Sequence, residues 1–504
     1  MKNKYIVIAV FLFLIRFISS CEKMLDIHAT RSVREENMWN TLEDTRAGLM
    51  AVYGLTKAAL NDNNAHWLYG ELRAGDFLSP VRRDLKAIIN NDLNANYESI
   101  NALSNWRRWF AIVNAANLFM ERSPEVRVKD KRYTENNFIV DNAQARFLRA
   151  YAYFYMVRIW GDVPLILHAQ DGYFENKPVE NKLKIYAFIE RELLEVAQIL
   201  PYKYSAGDPQ QIGDYYNEGG ARWQGGLARK LSAYAILTHL AAWQGNYADA
   251  ASYAQFVLDN YSKGDAGYSS ADFLTSSNGL FFEKRNTQMF AFPYVWSQVE
   301  ASFTGHIEEL TLAAPVVNKA IPDIYIPKDK ILSTFMERKD LRFSVDTLGS
   351  PTSERYFSNF NGRYPIFSKI KVIQSGNQDP TFRIFTSATI LTRLEDITLL
   401  RAEALAILGE KDKAIEMLNL IRQNRGLDAF SEAANGDLID AIFLERKREL
   451  MGEGHVWYDM IRQEKIKHNN SELGELIDNG GIYWPIAKEI LAQNPLVKQN
   501  SYWK

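Results

Sequence analysis

Two segments of the chain share a turn pattern that predicts pairs of closely packed helices. In each segment a helical stretch ends at a glycine, Gly245 or Gly409, and an alanine, Ala250 or Ala414, follows five residues later. Glycine permits a tight turn, and alanine lets two helix backbones approach to within about 8–10 Å. Apolar residues recur at spacings of three and four after both turns, as they do on one face of a helix. The pattern therefore predicts two helix–turn–helix hairpins.

Turn chemistry of this kind is typical of tetratricopeptide repeats, in which helix pairs stack on one another. Because the turn pattern occurs only twice, the alternative to a repeat is two ordinary helical hairpins that share the same turn residues. Helical periodicity also covers the segments 42–60, 106–120, 142–160, 184–200 and 438–462. The predicted fold is therefore mainly α, with scaffold helices within residues 42–260 and 390–425 and a C-terminal segment over 438–504.

The region between the two hairpins, about residues 262–389, has a different composition. It is rich in Gly, Ser, Asn, Pro and aromatic residues and lacks a sustained helical period, although residues 288–295 are compatible with a short strand. Long loops between rigid elements are usually functional or disordered, and the aromatic content here favours an ordered segment. We therefore predict a loop-rich insertion that binds a ligand.

The N-terminus has the three parts of a secretory signal. A basic start is followed by an apolar run of eleven residues over 5–15, which falls short of the about 20 residues needed to span a membrane. Ser19 and Ser20 then directly precede Cys21, which is the lipobox arrangement of bacterial lipoproteins. Cys21 is the only cysteine, so an intrachain disulfide is excluded. We predict a signal peptide over 1–20, a lipid anchor on Cys21, a tether over 21–40 and a single domain over 41–504.

Charge and motif content argue against several functional classes. The formal charge of −2 includes three cations within residues 1–20, so the processed chain is about −5 and has no basic excess for nucleic acid. The sequence contains no phosphate-binding loop, nucleophile elbow or H-E-x-x-H motif, and its seven histidines show no metal-ligand spacing. We therefore predict no catalytic residues, no cofactor and no metal site.

Carboxylates in the C-terminal segment are the candidates for a hydrolase pair. Glu445 and Glu449 lie one helical turn apart, but the arginines beside them favour a structural ion network. Asp459 and Arg462 are three residues apart on a predicted helix, where a structural pair is also the better interpretation.

Short motifs spread along the chain carry a family resemblance. They are A-R-F-L-R-A-Y at 145–151, W-G-D-V-P at 160–164, R-A-E-A at 401–404, N-L-I-R at 419–422, the stretch 445–462, and W-P-I at 484–486. In this order behind a lipobox, they make the sequence similar to the SusD/RagB family of outer-membrane nutrient-binding lipoproteins.

The resemblance implies both a fold and a function. The fold would be about four tetratricopeptide-like helix pairs, with an irregular loop-rich region and a few short strands packed on them. The protein would face outward on the outer membrane and serve a SusC-like TonB-dependent transporter as its partner. Most family members bind oligosaccharides and some bind peptides, as in the RagB branch, and they are not enzymes. From the residues alone, a surface glycosidase and a pure scaffold remain alternatives.

Two aromatic-rich places are the candidate ligand contacts. Sugar C–H faces stack on Trp and Tyr, and sugar hydroxyls pair with carboxylate and guanidinium groups. The residues chosen on this basis are Trp296, Tyr294, Asp76, Arg73, Tyr97 and Trp67. Each has a structural alternative: Tyr294 and Trp296 would share one face of a strand with Phe290 and Phe292, and Asp76 and Arg73 would pair within the fold.

Overall fold

The computed structural model describes residues 38–170, 175–211, 213–302, 304–375 and 383–504. The predicted signal peptide, Cys21 and most of the tether lie outside the described residues. The helices are α1 Leu42–Asn61, α2 Ala65–Gly70, α3 Arg83–Ile89, α4 Glu98–Leu103, α5 Arg107–Lys129, α6 Glu135–Trp160, α7 Lys182–Ile199, α8 Lys230–Gln244, α9 Tyr247–Asn260, α10 Ala271–Thr275, α11 Ile307–Thr311, α12 Lys328–Thr334, α13 Leu394–Ile407, α14 Lys411–Asn424, α15 Glu432–Asn435, α16 Leu438–Leu450, α17 Val456–Lys467, α18 Ser471–Asp478 and α19 Lys488–Gln493.

Eight of these helices form four packed pairs. Helix α1 packs on α5, α6 on α7, α8 on α9, and α13 on α14. Each pair also contacts the next, through α5 with α6, α7 with α8, and α9 with α13. The result is a continuous row of helix pairs, so the predicted mainly α, tetratricopeptide-like scaffold is confirmed.

The two turns that predicted the hairpins have the expected geometry. Gly245 and Gly409 adopt φ angles of 80° and 82°, which favour glycine, and they end the first helix of each hairpin. Ala250 and Ala414, in the second helices, are completely buried. A larger side chain at either alanine would hold the paired helices apart.

The strands are short, and all of them except β8, which begins at the last residue of the region, lie within the predicted loop-rich region. They are β1 Gln288–Phe292, β2 Ser344–Val345, β3 Pro351–Ser353, β4 Phe357–Ser358, β5 Ile366–Phe367, β6 Ile373–Ser375, β7 Arg383–Phe385 and β8 Thr389–Arg393. Strand β1 pairs antiparallel with β8, directly before α13, and the others form two-stranded hairpins. The β1–β8 pair thus ties the region to the scaffold, since β1 contacts α8 and β8 contacts α13.

The strand predicted over 288–295 ends early. It stops at Phe292 because Pro293 has no N–H to continue the ladder. Phe290 and Phe292 are buried, whereas Tyr294 and Trp296 lie beyond the strand. The four aromatic residues therefore do not share one buried strand face.

The single helix predicted over 438–462 is two helices, α16 and α17. Gly452 and Gly454 interrupt it with φ angles of 77° and 80°. A Cβ on Gly454 would lie 2.5 Å from the His66 ring, and a Cβ on Gly70 would lie 2.0 Å from the Gly454 carbonyl oxygen. The break lets α2 pack directly on the backbone of this segment.

A buried ion network surrounds the end of α16. The carboxylate of Glu449 accepts hydrogen bonds from Arg425 at 2.6 Å, Arg393 at 2.8 Å and Arg342 at 3.1 Å. Glu445 lies 2.8 Å from the guanidinium of Arg342. Both carboxylates are completely buried, so the predicted structural ion network is confirmed.

The predicted pair of Asp459 and Arg462 is also present, with 2.8 Å between the charged atoms. Arg462 additionally donates two hydrogen bonds to Glu403 on α13. The pair therefore ties α17 to the scaffold. Among the described residues, none of the helices combines the length and hydropathy that crossing a bilayer requires.

The ion network makes the stability of the fold depend on pH. Burial alone would raise the pKa of Glu449, but Arg425 and Arg393 hold that pKa well below its ordinary value of 4.5. A carboxyl with a lowered folded-state pKa stabilises the fold above its unfolded pKa, and this contribution is lost as the pH falls. We expect the thermal unfolding midpoint, followed by circular dichroism, to drop between about pH 6 and about pH 3. A constant midpoint over that range would contradict this account.

Candidate functional site

The candidate site lies where the C-terminal end of α1 meets the segment after β1. The ammonium of Lys57 donates to the Pro293 carbonyl at 2.8 Å and lies 3.6 Å from the centre of the Tyr294 ring. One turn later on α1, the amide of Asn61 donates to the Tyr294 hydroxyl at 2.9 Å. Asn61 is itself fixed by a hydrogen bond from Thr389 on β8. These contacts hold Tyr294 in a half-buried position against the helix.

Trp296 lies two residues further along, in a short 3₁₀ turn, Trp296–Gln298. Its side chain is 38 % exposed, although most tryptophans of the described chain are buried. The turn is tied down by Glu300, whose carboxylate accepts from the Val295 backbone N–H at 3.1 Å and from Lys57 at 3.3 Å. Trp296 is therefore an aromatic face on a turn that is fixed to α1.

An exposed ion pair lies at the end of α1, close enough for the Asp62 carboxylate to act on the Tyr294 hydroxyl. Helix α1 ends at Asn61, and a 3₁₀ turn, Asp62–Asn64, follows it with Asn63 in the left-handed conformation. Asp62 forms an ion pair with Arg108, the second residue of α5, and about half of each side chain is exposed. The pair presents a hydrogen-bond acceptor and several donors to solvent together.

The protonation states of Tyr294 and His306 are set by burial. Burial, with a further contribution from the Asp62 carboxylate, raises the pKa of Tyr294 to about 12. The His306 ring packs 4.5 Å from the Tyr294 ring, and burial together with Lys57 lowers the pKa of His306 to about 3. Both side chains are therefore neutral at physiological pH.

The structure places Trp296 and Tyr294 together, but Tyr97 elsewhere. Tyr97 precedes α4 and lines an open depression of about 490 Å³ with Lys86 and Asn90. Helix α4 contacts the Asp62–Asn64 turn, so the depression is adjacent to the α1 end of the site. Tyr97 stays a predicted ligand contact, separate from the Trp296 face.

The other predicted contacts lie inside the fold. Trp67 is 4 % exposed, and its indole N–H donates to the Gly452 carbonyl. Arg73 donates to the Ile482 carbonyl at 2.6 Å and stacks on the ring of Trp457. Asp76 is buried and forms a 2.6 Å ion pair with Lys447. Because all three side chains are buried and bonded to other parts of the fold, we leave these residues out of the site.

Sequence reasoning missed Lys57, Asp62 and Arg108. Lys57 lies on α1, Asp62 in the turn that follows it and Arg108 on α5, and the sequence does not show how these two helices pack. One signal was available: the run Asn61-Asp62-Asn63-Asn64 is a strong turn sequence at the end of a helix, where an exposed polar group is expected.

A second cluster, also missed, brings His239, Asp396 and His455 together. Nε2 of His239 lies 2.7 Å from the Asp396 carboxylate, and the two imidazole centres are 5.6 Å apart. Two histidines and a carboxylate are a possible metal-ligand set. However, the Asp396 carboxylate also accepts from Arg446 at 3.1 Å and from Thr392 at 2.9 Å. We therefore interpret the cluster as a buried hydrogen-bond network that joins α8, α13 and α17.

The family model and the relatives that match this chain point to the same family. A model of the SusD family matches residues 241–503. SusD-like protein P38 of Formosa agariphila is 26 % identical over 518 residues, with 96 % of both chains covered. A crystal structure of a SusD superfamily protein from Bacteroides thetaiotaomicron is 46 % identical with a TM-score of 0.85, and it covers 93 % of this chain and 100 % of that one. NanU of B. fragilis, at 18 % identity and a TM-score of 0.68 over 95 % of this chain and 100 % of its own, shares the fold.

Proposed function

The chain belongs to the SusD family, and we propose that it is a surface lipoprotein that binds a glycan and delivers it to a transporter. In this proposal Cys21 carries the lipid, the protein faces outward on the outer membrane, and the transporter is a SusC-like TonB-dependent protein. The proposal includes no catalysis and no cofactor. The observation that carries the glycan assignment is the exposed Trp296, on a turn that Glu300 and Lys57 fix to α1, the helix that ends at the Asp62–Arg108 pair.

This arrangement suits the two surfaces of a sugar ring. The C–H face of a pyranose stacks on an indole, which buries apolar area without requiring a hydrogen bond. The ring edge carries hydroxyl groups, each of which donates and accepts. Asp62 supplies an acceptor and Arg108 supplies donors at the same place, so neighbouring hydroxyls are satisfied together.

A binding panel tests the proposal. The soluble chain that starts at residue 22 would be titrated by calorimetry with neutral oligosaccharides of several linkages and with short peptides. We expect saturable binding of at least one oligosaccharide family. Binding of peptides alone would replace the glycan proposal with a RagB-like function, and binding of neither class would refute ligand capture at this site.

Replacing the predicted lipidation residue tests the anchor. Two or more acyl chains hold a protein stably on a membrane, because each buried CH₂ contributes about 0.8 kcal/mol. We therefore expect Cys21→Ala to move the protein from the membrane pellet to the soluble fraction, as measured by fractionation and immunoblot. Ligand binding by the purified variant should match that of the soluble chain.

Ser19→Ala is the matched control for the anchor, since it keeps a small residue before the cysteine. This variant should stay in the membrane pellet. A Cys21→Ala protein that also stayed there after a high-salt wash would show that something other than a lipid on Cys21 holds the chain.

A further inference from the structure

A separate cavity lies at the half-buried side chain of Trp223. Most of its lining comes from the segment between α7 and α8, over residues 203–229. Its volume is about 150 Å³, and an engineered protein cavity of about that size accommodates one benzene ring. Its lining residues include neither the Trp296 turn nor Tyr97. The cavity is therefore distinct from both places already described and has room for one six-membered ring.

The walls of this cavity are fixed by contacts within the fold. The buried guanidinium of Arg229, directly before α8, donates to the carbonyls of Gly264 and Asn286, both at 2.7 Å. Another wall is held by Trp223, whose indole N–H donates to the Tyr215 carbonyl at 3.3 Å. The two aromatic rings also pack edge to face, with their centres 5.3 Å apart. Because the fold itself supplies these contacts, the cavity is largely pre-formed, and binding costs little ordering entropy.

Three neutral polar side chains of the lining are left for a ligand. The hydroxyl of Ser205 and the amides of Gln224 and Asn286 form no hydrogen bond with the rest of the described chain. A hydroxyl donates and accepts, and an amide carries both a carbonyl acceptor and an NH₂ donor. A few polar groups that converge on a cavity with an aromatic wall are the usual means of orienting a small ligand.

The charged side chains of the cavity are already engaged within the fold. Lys203 and Asp265 form an ion pair at 3.2 Å, and Arg229 donates to backbone carbonyls. A ligand therefore meets mainly neutral donors and acceptors beside an indole. Sugar hydroxyls suit these partners because each of them donates and accepts, and the C–H surface of the ring suits apolar contact with Trp223.

We propose that this cavity is a second carbohydrate site, which takes one pyranose ring against Trp223. The hydroxyl of Ser205 and the amides of Gln224 and Asn286 hold the hydroxyls of that ring. A cavity for one ring restricts the ligand to a monosaccharide or to the terminal residue of a chain. The inference goes beyond the proposed function, because none of these residues belongs to the Trp296 turn.

Fluorine NMR on the soluble chain tests the second site. The tryptophans would be replaced biosynthetically by fluorotryptophan, and the Trp223 signal would be assigned by its loss in Trp223→Phe. Methyl glycosides of glucose, galactose, mannose, xylose and N-acetylglucosamine would then be titrated separately. We expect at least one of them to shift the Trp223 signal saturably, with the dissociation constant of about 1 mM that is typical of so small a ligand.

A double variant locates the binding. Gln224→Ala combined with Asn286→Ala removes two amides that have no hydrogen-bond partner in the described chain. It should weaken the glycoside response of the Trp223 signal at least about fivefold, because two hydrogen bonds to the ligand are lost. The matched control, Asn278→Ala combined with Asn318→Ala, truncates two exposed amides outside the cavity and should change the affinity by less than about twofold. Thermal melts of both double variants should coincide with that of the parent chain.

The Trp296→Ala variant separates this site from the one at the Trp296 turn. In this variant the glycoside should still shift the Trp223 signal with unchanged affinity, since Trp296 does not line the cavity. Loss of the shift in Trp296→Ala would show that the signal reports binding at the Trp296 turn, and the second site would be refuted.

Three other results would overturn the second site. They are a Trp223 signal that no glycoside shifts, a response that the double variant leaves unchanged, and a response to short peptides but to no sugar. Each of them leaves oligosaccharide capture at Trp296 untouched, because that function is measured by calorimetry with the oligosaccharide panel. Conversely, a panel without binding beside an intact Trp223 response would refute capture at Trp296 and support the second site.

Discussion

Glu449→Gln is expected to lower the free energy of unfolding by about 3–5 kcal/mol. In the folded protein its carboxylate is completely buried and accepts hydrogen bonds from Arg342, Arg393 and Arg425. The neutral amide has nearly the same shape but removes the charge that compensates the three guanidinium groups. It also turns one acceptor into an NH₂ group that points at donors. Buried charges left without compensation account for most of the expected loss.

Urea unfolding followed by circular dichroism measures this effect. Glu475→Gln makes the same chemical change at an exposed site on α18 and should shift the free energy of unfolding by less than about 0.5 kcal/mol. The two variants together separate the loss of a buried charge from a general effect of the substitution. A Glu449→Gln protein as stable as the parent would show that the guanidinium groups find other partners.

The scaffold was predictable because helical packing leaves a local record in the sequence. The segment predicted over 42–60 is α1, Leu42–Asn61, and the one predicted over 184–200 is α7, Lys182–Ile199. In both, apolar residues repeat with the period of a helix that buries one face. Gly245 and Gly409 were equally informative, since a positive φ at a helix end strongly favours glycine.

The break between α16 and α17 was not predictable from local pattern. It exists because Gly454 packs against His66, and the backbone of Gly70 lies against the same glycine. These partners are more than 380 positions away along the chain, so local periodicity carries no trace of them. Glycines at 452 and 454 were visible, but a glycine inside a helical pattern is compatible with both a break and a continuous helix.

Only the part of the candidate site that lies in one local stretch of sequence was predictable. Trp296 stands in an aromatic stretch after a strand, which made it a candidate without any tertiary information. Asp62 and Arg108 acquire their role only because α1 packs on α5. Conversely, Trp67 and Arg73 have suitable side chains for binding a sugar, and residue type alone does not reveal that the fold buries them.

Trp296→Ala is expected to weaken glycan binding by about 30-fold, or about 2 kcal/mol. The indole supplies the exposed apolar face of the site, and an alanine leaves the sugar C–H surface in water. Because the Trp296 side chain is 38 % exposed and Glu300 fixes the turn through the Val295 backbone, the thermal unfolding midpoint should barely change. Calorimetric titration with the tightest sugar of the panel measures the loss, and Trp296→Phe, which keeps an aromatic face, should recover most of the affinity.

Tyr97→Ala provides the decisive comparison, because it truncates an aromatic side chain in the adjacent depression without touching the Trp296 turn. If the sugar stacks on Trp296, Tyr97→Ala should weaken binding by less than about threefold, a change typical of a residue at the rim of an interface. The reverse ranking, with a large loss for Tyr97→Ala and none for Trp296→Ala, would move the site to the depression beside α4. In that case the depression would supply the aromatic face, and the Asp62–Arg108 pair, next to it through the contact of α4 with the Asp62–Asn64 turn, would still offer partners for the sugar hydroxyls.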